Sequence, residues 1–125
     1  MTDSTIFTAK NAWLANPAAA EATYGHISTW DTSAVTNMEN LFCAQYCWNS
    51  NSAAASFNED IGAWDTSGVT DMSGMFGQAS AFDQDLSWCV DDDVYLDSAF
   101  DDSAMNGLAG PPCASTSCGV TQGGC

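Results

Sequence analysis

The chain has 125 residues, with sixteen Asp and Glu set against one basic side chain, Lys10, for a net charge of −15. That imbalance excludes nucleic acid and anionic membrane surfaces as partners, because binding either requires Lys and Arg to replace counterions. An apolar share of 46%, including five Trp and six Phe, sets the chain apart from acidic disordered tails, and no apolar run reaches the ~20 residues of a transmembrane helix.

Taken in order, residues 4–15 read as an amphipathic helix. Ile6, Phe7, Trp13 and Leu14 form its apolar stripe, Lys10 shares the spacing, and Ser4 or Asp3 is placed to cap it. Asn16-Pro17 restarts the helix, with Asn at the cap, Pro at the first position, and the Ala-rich run from Ala18 to Ala22 behind it. Residues 1–23 are thus expected to be a helical N-terminal cap.

Repeats follow over 24–106. Ile27 to Met38 (ISTWDTSAVTNM) matches Ile61 to Met72 (IGAWDTSGVTDM), and Phe57-Asn58-Glu59-Asp60-Ile61 is answered 25 residues later by Phe82-Asp83-Gln84-Asp85-Leu86. Each unit reads as a short strand before the Trp, an Asp-Thr-Ser turn, and a short helix presenting Val69, Met72, Met75 and Phe76 on one face. The first copy is nine residues longer, and the extra length falls in an insertion at 43–56 that holds Tyr46, Cys47 and Trp48. In the third copy Trp88 arrives one residue early and Asp91-Asp92-Asp93 replaces the turn, at the start of a further expected helix. Residues 107–125 are rich in Gly, Pro, Ser and Cys and read as a C-terminal cap.

Six cysteines, Cys43, Cys47, Cys89, Cys113, Cys118 and Cys125, favour disulfides and an oxidising compartment. Zinc is the rival, since the Cys43–Cys47 and Cys113–Cys118 spacings loosely suit ligands, but no C-x-x-C knuckle is present. No pairing follows from the sequence.

The motif WDTSxVTxMxxMF, followed by FNxDI, resembles the ~25-residue repeat of BspA-like leucine-rich-repeat surface proteins over about residues 10–119. The resemblance implies a short right-handed α/β solenoid of about three leucine-rich-repeat-like turns. It also implies an adhesion or interaction role at a surface, and it brings no catalytic residues.

Three groups of residues carry candidate chemistry. By register His26, Asp60 and Asp85 form one column. Turns ~4.8 Å apart would bring Asp60 close to Asp85, where a calcium ion would relieve their repulsion. The plainer reading is a solvated face of hydrogen-bonded side chains. Asp91, Asp92, Asp93, Asp97, Asp101 and Asp102 form a second acidic cluster, open to calcium, to a basic partner, or to solubility alone. Tyr46 and Trp48 lie off the repeat and suit contact with a protein or a sugar, or else fold back on the solenoid edge. His26 has no partners at triad spacing, and no G-x-S-x-G stands in the chain.

The expected function is a non-catalytic protein-interaction or adhesion module of an extracytoplasmic space, with Tyr46, Trp48, His26, Asp60 and Asp85 facing the partner. Nothing at the start of this chain reads as a signal or transit segment. A structural accessory subunit of a larger assembly, a membrane complex being one option, and a calcium-dependent adhesion fragment are the alternatives.

Overall fold

Residues 1–100 and 117–124 are described in a computed structural model. Cys113, Cys125, Asp101 and Asp102 lie outside them, as does most of the expected C-terminal cap. The chain opens with α1, Asp3–Ala15, and α2, Pro17–Tyr24. Thr2 rather than Ser4 or Asp3 caps α1, and its hydroxyl and that of Thr5 form a reciprocal capping box. Asn16 caps α2 as its position predicts, its Oδ1 accepting from the Ala19 N–H at 3.2 Å. The buried face of α1 is Ile6, Ala9, Lys10 and Trp13, and all but Lys10 join the hydrophobic core.

The repeat copies lie side by side in parallel. Isolated bridges link Asn37 to Asp71 and Asp71 to Tyr95. The amides of Met38, Asn40, Phe42 and Ala44 donate to the carbonyls of Asp71, Ser73, Met75 and Gly77 at 2.7–2.9 Å. Those of Met72, Gly74 and Phe76 do the same to Tyr95, Asp97 and Ala99. The cross-copy backbone bonding therefore runs through the Val-Thr-x-Met half of the unit, the half expected to be helical, and Phe57–Trp64 forms no strand.

The helical spacing has a different cause. Within each copy, i→i+3 bonds such as Leu41 N–H to Met38 O, Met75 to Met72 and Ala99 to Leu96 make single turns that bury side chains three apart. Asn40, Gly74 and Ser98, at the same place in each copy, sit at φ of 59°, 65° and 58°, and this left-handed residue stops a second helical turn from forming. The Asp91–Asp93 segment likewise starts no helix. Its neighbours Cys89–Val90 form β1, which pairs in parallel with β2, Thr121–Gln122. The Gln122 side-chain amide reaches the carbonyls of Asp91, Asp92 and Val94.

The interior is built from equivalent side chains stacked copy on copy. Phe42, Phe76 and Phe100 stack at 5.7 and 5.6 Å between ring centroids, Phe57 on Phe82 at 5.7 Å, and Trp30 on Trp64 at 6.1 Å. Trp13 from α1 closes the last column edge-on, 6.2 Å from Trp30. The Trp indoles also link copies: Trp64 donates to Ile27 O at 2.8 Å and Trp88 to Gly62 O at 3.1 Å. Trp88, which arrives one residue early, is also buried, and its acceptor Gly62 stands one residue past Ile61, the counterpart of Ile27.

Candidate functional site

The insertion leaves the repeat at Cys43 and is tied off at both ends. Cys43 is buried and bonded to Cys47 in a disulfide, and the Asn51 N–H donates back to Cys43 O at 3.0 Å. The disulfide rests on the next copy, where a Cβ at Gly77 would come within 3.1 Å of the Cys43 sulfur. Gly77 is thus a close-approach site, where the sequence alone suggests only a weak helix former. Farther out, the Asn51 amide donates to Asn11 Oδ1 of α1, and a 3₁₀ turn at Ser52–Ser56 buries Ala54.

Between these anchors the loop turns outward. Tyr46 has φ of 73°, a left-handed conformation that costs a non-glycine residue about 1 kcal/mol. Trp48 is 86% exposed and Tyr46 46%. The alternative, that both rings fold back over the repeat, is not what the chain does.

The column of His26, Asp60 and Asp85 has one repeated job. His26 Nδ1 accepts from the Ser28 N–H at 3.2 Å, Asp60 Oδ1 from Gly62 at 2.9 Å, and Asp85 Oδ1 from Ser87 at 3.1 Å. Each side chain turns the backbone by holding the amide two residues on. Asp31 with Ser33, and Asp65 with Ser67, repeat the device at the next corner. There the serine hydroxyl and then its N–H hold each carboxyl below the usual carboxylate range. Among the described residues no group of three or more His, Cys, Asp or Glu converges to hold a metal ion.

Two features escape the sequence reading. His26 Nε2 lies 3.9 Å from the Glu59 carboxylate, both groups half-exposed, and its ring meets Trp13 edge-on at 5.0 Å. Asp3 reaches the edge of the first copy, where its carboxylate accepts from the backbone and hydroxyl of Thr36, both at 2.7 Å, and from the Asn37 N–H at 3.2 Å. The register could have paired His26 with a residue of the next copy. No periodic signal links Asp3 to Thr36.

The described residues thus combine repeat copies joined by parallel backbone bonds, a helical cover from α1 and a disulfide-closed loop with exposed aromatics. The chain belongs to the family described as Mycoplasma protein of unknown function, DUF285, whose model matches residues 18–107; this family is related to the BspA-like surface proteins. No curated protein and no solved structure matches the chain. Among the described residues no helix is long and apolar enough to cross a membrane.

Proposed function

We propose that the chain is a short leucine-rich-repeat-like solenoid that acts as a non-catalytic protein-interaction module in an extracytoplasmic space. The observation that carries this is Trp48, an aromatic side chain 86% exposed on a loop that a disulfide and a backbone hydrogen bond hold in place. Keeping a large apolar ring in water has no folding benefit, whereas a rigid exposed Trp with a Tyr beside it is the usual chemistry of a binding hot spot. The disulfide favours an oxidising compartment, and membership of a family related to surface proteins agrees with that.

The test is a double substitution, Tyr46→Ala with Trp48→Ala, in tagged protein recovered from its source. Partner proteins that co-purify with the wild type are expected to be lost, with the melting temperature unchanged to within about 2 °C, as surface substitutions rarely exceed ~0.5 kcal/mol. A lowered melting temperature with partners retained would make the two rings structural.

A further inference from the structure

A groove of about 180 Å³ runs between the end of α1, the start of α2 and the base of the insertion, with Trp13, Leu14, Pro17, Ala53, Phe57 and Glu59 in its lining. It is too small for a drug-sized ligand, which takes roughly 300–1,000 Å³, and has room for about one side chain. Its walls mix these apolar side chains with the polar Ser56, Asn58 and Glu59, and the Glu59 carboxylate lies 3.9 Å from His26 Nε2.

Trp13 adds a second polar group. The indole N–H groups of Trp30, Trp64 and Trp88 donate to the carbonyls of Gly25, Ile27 and Gly62 at 2.8–3.1 Å. That of Trp13, which lines the groove, donates to no acceptor among the described residues. Its N–H is not sealed from solvent and is open to an acceptor from outside the chain.

We infer that this groove takes a single Lys or Arg side chain from an extended segment of a partner protein. The aliphatic stem lies along Leu14, Pro17 and Ala53, the cationic head pairs with Glu59, and a backbone carbonyl of the same segment accepts from Trp13. Charge selects this occupant. The chain carries −15, and its one basic side chain, Lys10, is buried, so a second copy offers no cation for the groove. The same field attracts a basic segment from a distance and repels acidic ones. The inference extends the interaction-module reading to a second surface, apart from Tyr46 and Trp48.

The probe is an acetylated, amidated Ala-Leu-Arg-Ala peptide, with its citrulline analogue as an uncharged control of the same shape. Amide and indole NMR resonances of the whole chain are followed during titration at low salt. The expected result is a saturable shift of the Trp13 indole N–H. The citrulline peptide and the Glu59→Gln variant should each bind about fivefold more weakly, the effect of losing one exposed ion pair. Ala53→Trp, which fills the groove from an exposed position, should abolish the shift. A Trp13 resonance that does not move, or moves equally in all these cases, overturns the inference. So do shifts confined to the Asp31 and Asp65 corners, which would show diffuse attraction to acidic surface. Because the readout is at Trp13, failure here leaves the loop reading intact, and failure of the Tyr46 and Trp48 substitutions leaves this one intact.

Discussion

Lys10 is 1% exposed on the inward face of α1, with its ammonium 5.0 Å from the Phe7 ring centroid. No carboxylate among the described residues lies within ion-pair distance of it. Attraction to the ring offsets part of the desolvation cost, but burial still pushes the lysine down to about 8 from its usual 10.5. The direction of the pH effect follows. Below pH 8 both folded and unfolded chains hold the proton, and folding bears the whole penalty. Between pH 8 and 10.5 the folded chain has released it and the unfolded chain has not, so stability rises with pH across that window. Replacing Lys10 with Met keeps the volume and removes the charge. Lys10→Met should gain about 2 kcal/mol at pH 7, several degrees in melting temperature, and lose the rise between pH 8 and 9.5. Thermal melts of both proteins over that range check it; a variant that melts lower at pH 7 would show that the ammonium has a favourable partner.

At the scale of elements, the copies hold one another through backbone, and the first copy has no earlier copy to bond. The Thr70 N–H donates to Thr36 O, and the Tyr95 N–H to Thr70 O. The Thr36 N–H, which begins the same series, donates to the Asp3 carboxylate. One side chain from α1 thus supplies what a preceding turn's carbonyl would supply. The Thr36 hydroxyl, followed by its N–H, holds the Asp3 carboxyl below its usual range. The stabilisation is present above pH ~4 and is lost as pH falls through that depressed value. Asp3→Ala should cost about 1–2 kcal/mol and speed amide exchange at Thr36 and Asn37, leaving Met72 and Phe76 protected. Uniform loss of protection would mean that α1 and the repeats unfold as one unit.

The helices were legible because Asn16-Pro17 and the alanine run act locally. The equivalence of the two copies was legible from the repeated Trp-Asp-Thr-Ser, whose Asp side chains do the same work at Asp31 and Asp65. The assignment of halves was not. Single i→i+3 turns and a helix both place buried side chains three apart, and only the left-handed residue at Asn40, Gly74 and Ser98 separates them. At the candidate site Tyr46 and Trp48 stood out because they break the repeat. Glu59, Trp13 and Asp3 act through contacts between segments far apart in sequence, which no local pattern encodes.

For the molecule as a whole, the charge is unopposed. With Lys10 buried, the sixteen carboxylates have no Lys or Arg to pair with, and the folded chain gathers like charges that the unfolded chain spreads out. Salt screens that repulsion. Raising sodium chloride from about 20 mM to about 0.5 M, where the Debye length falls from roughly 20 Å to roughly 4 Å, should raise the melting temperature by a few degrees. An unchanged value would show that the spacing of the Asp corners already keeps them electrostatically independent.

The Asp3 cap also bears on assembly. Parallel turns that stack within a chain present at each end a surface that could stack on another chain, and such head-to-tail contacts do not close on themselves; they grow filaments. At the edge of the first copy α1 occupies that surface. The Thr36 donor is taken by Asp3, the aromatic column ends under Trp13, and a carboxylate stands where an incoming carbonyl would dock. An incoming turn would have to displace Asp3 from Thr36 before it could bond to this edge.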